Sequence, residues 1–255
     1  MAATRLVKRL GSPSAGITQV WRDEHPDNYV LSSKERRMFR NSYPLPSTPL
    51  LPPKKPNDTR ATLVLDLDET LIHSRYEIPD MPAPNTAADA AKEILTEHKI
   101  NVVSRPHVKT FLSVINPWYE IVVFTASLSF YADGILNDLD PKGTIFDYRL
   151  YRAHCCYFQG IYVKDLERLG RSLDRVILVD NFPGAYMMQP RNALPIHSFL
   201  GNPDDNELLR VQKVLKLIKD KPDVRPFLKR YRKHWTASLN ASRAKDDCGE
   251  HVSRP

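Results

Sequence analysis

Cysteine is scarce in this chain. Three in 255 residues, none in C-x-x-C spacing, exclude a disulfide framework and a structural zinc site and imply a reducing compartment. Also lacking is any apolar run near the roughly 20 residues that a membrane-spanning helix needs, so a soluble chain without a transmembrane anchor is expected. The opening stretch MAATRLVKRLGSPSAGITQVW has no continuous apolar segment of the kind a secretory signal requires. It does carry Arg5, Lys8 and Arg9 with no acid before Asp23, as a mitochondrial transit peptide does. Nucleus or cytoplasm is the expected location, with the mitochondrion as the alternative. Acids are short only at the ends. Residues 1–60 hold eleven Lys and Arg against five Asp and Glu, residues 221–255 nine against four, and the stretch between seventeen against twenty-one. Basic ends on a mildly acidic body suit an anionic partner or plain solubility; the second is the reading adopted, and no direct nucleic-acid binding is expected.

The length suits one sizeable domain with tails. Residues 1–58 end in the proline-dense YPLPSTPLLPPKKPNDT, which cannot offer backbone donors to a sheet and favours an open chain. They are expected to form a basic, disordered linker. From Thr62 the character changes. TLVLDLD, EIVVFTAS (120–127) and RVILVDN (175–181) are continuously apolar, as strands of a parallel sheet covered on both faces are, and each ends in small or polar residues. RPHVKTFLSVIN puts Val108, Phe111, Leu112 and Ile115 on one helix face, with Pro106 suited to the first turn. DDNELLRVQKVLKLIKD spaces Leu208, Val211, Leu215 and Ile218 likewise, with acids early and lysines late. The alternation predicts an α/β fold: a Rossmann-like parallel sheet flanked by helices over residues 59–235, followed by a polar tail at 236–255. In such sheets the site lies beyond the carboxyl ends of the strands, where Asp66, Thr125 and Asp180 fall.

LVLDLDETLIHS, residues 63–74, gathers Asp66, Asp68 and Glu69 directly behind a buried strand, where like charges repel and desolvation is costly. A strand ending in Asp-x-Asp-x-Thr offers one carboxylate to attack and a second to donate or accept a proton. A hard cation such as Mg2+, taking oxygen ligands, relieves their repulsion. As an EF-hand loop the segment fails, because Leu71 occupies the position where glycine must turn and a strand precedes Asp66. HCCYFQGIY fails as a cysteine-phosphatase loop, since no arginine follows Cys155 or Cys156 through a Gly-rich turn; these cysteines read as packing residues. Thr125 offers a hydroxyl and neighbouring N–H groups to a phosphate oxygen, Lys164 in YVKDL a point charge, and Asp180 and Asn181 further oxygen ligands. Taken singly they read as a strand-end cap, a solvated lysine and a turn-forming pair. Together, at these strand ends, they point to phosphoryl transfer.

These motifs resemble the haloacid dehalogenase (HAD-like) superfamily and, within it, the FCP/SCP-type small phosphatases related to those acting on the C-terminal domain of RNA polymerase II. The resemblance runs from about residue 60 to about residue 235 through LVLDLDETLIHS, RPHV, VVFTASLSFYAD, YVKDLERLG and VILVDNFPGAY. It implies Asp66 as the nucleophile that forms an aspartyl phosphate and Asp68 as the acid and base. It also implies Mg2+ held by the Asp66 carboxylate, the Asp68 backbone carbonyl and Asn181, with Asp180 in support. Thr125 and Lys164 are implied to bind the phosphate, and Thr70 and Arg152 to contact the substrate. The implied activity is a Mg-dependent Ser/Thr phosphoprotein phosphatase, monomeric, acting on a phosphorylated protein such as the polymerase domain. Two alternatives stand beside it: a non-enzymatic phospho-binding or import-receptor-like module of the same fold, and a small-molecule phosphatase. One departure concerns the insert at 77–103. Where relatives place a largely apolar hairpin, this chain has YEIPDMPAPNTAADAAKEILTEHKINVVS, in which Ala87 to His98 looks helical; the insert is expected to sit over the site and to bear on substrate choice.

Overall fold

The computed structural model describes residues 31–76 and 100–232. Its first element, α1 (Ser33–Ser42), falls inside the segment expected to be linker. Ser32 and Glu35 form a reciprocal capping box that satisfies N–H groups of the first turn, and Phe39 is fully buried. The linker reading therefore does not hold for α1, whose one apolar anchor is enough to seat it on the domain. The elements that follow are β1 (Ala61–Leu65), β2 (Ile72–Tyr76), β3 (Ile100–Ser104), α2 (Val108–Ile115), β4 (Tyr119–Phe124) and α3 (Ser129–Leu139). After them come β5 (Tyr148–Leu150), β6 (Cys156–Phe158), β7 (Ile161–Val163), β8 (Val176–Asp180), β9 (Ala193–Pro195) and α4 (Glu207–Ile218), and residues 225–232 are helical.

The three apolar runs are β1, β4 and β8, and every residue in them is buried. They lie side by side and parallel, Leu63 opposite Ile121 on one flank and Ile177 on the other, within the order β5-β4-β1-β8-β9. Side-chain alternation divides the core. Leu63 and Leu65 join Phe111, Leu136 and Leu215 beneath α2, α3 and α4, whereas Val64 joins Leu51, Leu166 and Leu169, so the second face is covered by short 3-10 turns and an N-terminal segment. The chain leaves β1 toward β4 and β5, then crosses to β8 and β9. Strand order thus reverses beside β1, the crevice where sheets of this kind bind ligands.

Two local expectations are corrected. Pro106 precedes α2 rather than entering its first turn. It sits in a turn closed by the Val108 N–H on the Arg105 carbonyl, and His107, at φ 68, supplies the left-handed residue that a type II turn requires after proline. Strands also border the insert: β2 ends just before it and β3 closes it, and the two pair antiparallel, Ile72 opposite Ser104, so an antiparallel strand pair does follow the first motif. The helical reading of 87–98 and the tail at 236–255 lie outside the described residues. Among the described residues, no helix is long and apolar enough to cross a membrane.

Candidate active site

Asp66 is the first residue past β1, and its N–H continues the parallel ladder by bonding the Val179 carbonyl at 3.0 Å. The chain stays extended for two more residues. Leu67 turns into the core, which leaves Asp66 and Asp68 on the side of the cavity that both line. Glu69 then takes φ 60, and the Leu67 carbonyl accepts the N–H groups of Leu71 and Ile72, so the turn is tight and the two carboxylates are held in place.

The acids differ in their partners. Lys164, just beyond β7 and 2 % exposed, puts its ammonium 2.6 Å from Asp66 Oδ1 and 2.7 Å from Asp180 Oδ2. The remaining Asp180 oxygen accepts the Phe182 N–H at 2.8 Å. Burial works to discharge Lys164, but the two carboxylates outweigh it and hold the ammonium firmly charged. Burial pushes the Asp180 carboxyl up, with Lys164 opposing. Among the described residues no cation pairs with Asp68. Its Oδ2 accepts the Ser127 hydroxyl at 2.7 Å and the Thr125 hydroxyl at 3.3 Å, and its Oδ1 the Tyr131 hydroxyl at 2.9 Å. Burial first, and then the charge of Asp66, push the Asp68 carboxyl above its ordinary range, against these hydrogen bonds. Glu69 points elsewhere, to the His73 ring at 2.8 Å. The sequence reading had a metal ion as the counter-charge among the acids; within the protein itself, Lys164 fills that part for Asp66 and Asp180.

The residues expected at the site are mostly brought together. Asp66, Asp68, Thr125, Lys164, Asp180 and Asn181 line one cavity. Thr70 does not line the cavity: it is fully buried, its hydroxyl 3.0 Å from Asp66 Oδ2 and 3.2 Å from Asn181 Oδ1. Arg152 stands one layer out. Its Nε donates to the Ala126 carbonyl at 2.5 Å and its guanidinium lies 4.9 Å from the centre of the Tyr162 ring, which does line the cavity. The cysteine reading holds in its chemistry: burial pushes the Cys155 thiol up to about 12, which disqualifies it as a nucleophile near neutral pH.

Four contributors went unforeseen. Ser127 and Tyr131 hold Asp68, and Ser198 accepts the Asn181 amide N–H at 3.0 Å, leaving the Asn181 oxygen to accept the Thr70 hydroxyl at 3.2 Å. Arg105, 1 % exposed, grips Asp205 with two bonds of 2.7 and 2.8 Å and donates to the Thr70 and His197 carbonyls, tying the loop after β1 to the loop after β9. Ser127 and Tyr131 lie inside the VVFTASLSFYAD run and Arg105 opens RPHV, whereas Ser198 falls in none of these motifs.

Paired acids at the mouth of a central parallel strand, with a buried lysine between the first of them and a neighbouring strand end, are the working arrangement of a HAD-like hydrolase. The family described as NLI interacting factor-like phosphatase matches residues 61–225. The chain belongs to that family and is a phosphatase. It is 42% identical over 179 residues to CTD nuclear envelope phosphatase 1B of Danio rerio, covering 68% of this chain and 73% of the relative. It is 37% identical over 213 residues to carboxy-terminal domain RNA polymerase II polypeptide A small phosphatase 2 of Mus musculus, covering 83% and 77%. The solved structure of Fcp1, an essential RNA polymerase II CTD phosphatase, overlays at a TM-score of 0.48 with 18% identity over 63% of this chain and 62% of that one, too loosely to argue from.

Proposed function

We propose that this protein is a Mg2+-dependent phosphoprotein phosphatase, specific for phosphoserine and phosphothreonine, that works through an aspartyl phosphate on Asp66. The observation that carries the reading is the division of labour between two acids on one side of a strand end: Asp66 against the Lys164 ammonium at 2.6 Å, Asp68 inside neutral hydroxyls. The Asp66 oxygen, held beside the Lys164 ammonium, attacks phosphorus. As the P–O ester bond breaks, Asp68 passes its proton to the leaving oxygen. Asp68, now a carboxylate stabilised by the three hydroxyls, takes a proton from the water that attacks the acyl phosphate, which frees phosphate and restores both acids. Lys164 and Thr125 bind the phosphoryl oxygens and spread their charge.

The residues present fit a hard cation. Asn181 has its amide N–H on Ser198 and its oxygen on the Thr70 hydroxyl, which also reaches Asp66; the Asn181 oxygen, the Asp66 carboxylate and the Asp68 backbone carbonyl would make an all-oxygen set at the cavity these residues line. Asp180 supports it from behind, both its oxygens being engaged. Among the described residues no group of three His, Cys, Asp or Glu side chains is spaced to hold an ion, so the set depends on the amide and the carbonyl. Bound Mg2+ supplies neutralisation of the phosphoryl charge.

Named relatives act at the polymerase C-terminal domain or the nuclear envelope, which supports a phosphorylated polypeptide substrate and a nuclear association and lends nothing to the mitochondrial alternative. Asp66→Asn tests the chemistry. Hydrolysis of an aryl phosphate should fall by about a thousandfold or more with the circular dichroism unchanged; undiminished turnover would reject the nucleophile. A phosphopeptide panel assayed with and without Mg2+ tests the substrate class, and faster turnover of sugar phosphates would reject it.

A further inference from the structure

The family match begins at residue 61, yet the chain before it lies along the segment that carries Lys164. Four separate contacts hold the two together. The Tyr43 hydroxyl donates to the Tyr157 carbonyl at 2.7 Å, and Arg40 reaches the Asp165 carboxylate at 2.8 and 3.4 Å. The Leu50 N–H donates to the Arg168 carbonyl at 2.8 Å. Pro49 presses on Gly170, where an added Cβ would come within 2.5 Å of the proline ring. Phe39 is sunk beneath them, edge-on to Phe158 at 5.2 Å in the cluster that includes Ile161 and Val163 of β7.

Lys164 and Asp165 follow β7 directly, and adjacent side chains on extended backbone point opposite ways. Lys164 turns inward to Asp66 and Asp180, and Asp165 outward to α1. Asp165 is 1 % exposed. Its Oδ1 accepts the Gln189 amide at 2.8 Å and the Glu167 N–H at 3.3 Å, while its Oδ2 faces Arg40. Without that guanidinium a buried carboxylate oxygen loses its cation, and the side chain must turn to find another donor. The backbone at 165 turns with it, and the neighbouring ammonium shifts from its place against Asp66.

We propose that Arg40 is a positioning residue for Lys164, acting through Asp165, and that α1 braces the segment carrying Lys164 from behind the cavity rather than forming part of a tail. The inference rests on the reading of Lys164 as the phosphate-binding cation. The test uses the full chain and steady-state hydrolysis of an aryl phosphate by Arg40→Gln, Asp165→Asn, the double variant and Lys164→Ala. Arg40→Gln should lower kcat about tenfold while KM stays within about twofold. The double variant should be no slower than Asp165→Asn alone, because the two act as one unit. Arg40→Lys, which keeps the charge but not the forked grip, should recover part of the loss and serves if the glutamine variant does not fold. An unchanged kcat in folded Arg40→Gln, or losses that multiply in the double variant, would overturn the positioning role. Full activity in Lys164→Ala would instead overturn the reading beneath it, and the two failures are thereby told apart.

Discussion

Asp66 and Asp68 stand two residues apart on one strand end and face one cavity, but their surroundings are opposite. Around Asp66 the protein places full charge, an ammonium shared with Asp180; around Asp68, among the described residues, it places hydroxyls. The ammonium puts positive charge against the oxygen proposed to attack. Burial and the neighbouring charge of Asp66 push the Asp68 carboxyl above its ordinary range, which favours a proton for a leaving group. What packs against each of two identical side chains thus supports the different roles proposed for them.

The heaviest blow to this contrast is Lys164→Ala, which leaves Asp66 and Asp180 enclosed and facing each other without a cation. Unfolding in urea should show a loss of about 3–5 kcal/mol, and kcat should drop by about 10²–10³. A fully stable, active variant would mean the lysine is not the counter-charge. A subtler change strips donors from Asp68. Tyr131→Phe or Ser127→Ala each removes a bond that favours the carboxylate, so the Asp68 pKa should rise further, by about one unit. Because the proton donor is lost as pH climbs through that value, the alkaline fall of kcat/KM should move upward by the same amount; an unmoved profile would count against Asp68 as the acid. The smallest effect lies far from the chemistry. Burial raises Glu207, yet hydrogen bonds from His197 and Arg210 outweigh it and hold the carboxyl at about 2. Its folded value lies below its unfolded one, so its stabilisation is complete above about pH 4.5 and disappears as pH falls toward 2. Glu207→Gln should cost about 1 kcal/mol at pH 7 and nothing at the acid end, measured by urea unfolding at both pH values. That result would separate acid sensitivity of the frame from titration at the site.

Much of the frame was legible because β1, β4 and β8 need two covered faces and therefore read as unbroken apolar runs, and because α2 and α4 carry regular apolar stripes. The edge strands were not. β5 has three residues, and β9 contains Pro195, which argues against a strand when read alone. Helix α1, SKERRMFRNS, has no stripe beyond Met38 and Phe39; its one local mark was the Ser32–Glu35 capping box. Thr70 looked like a substrate contact from its place after the two acids, but it is fully buried and does not line the cavity.

Local sequence was sufficient for the three central strands of the sheet and for the residues at their ends, since a buried strand shows as an apolar run of neighbouring positions. What surrounds each of the two acids was decided only in three dimensions. Lys164 lies 98 positions from Asp66, and Tyr131 lies 63 from Asp68. Proton affinity depends on charges and donors within a few ångströms through space, and only the folded chain brings those groups there.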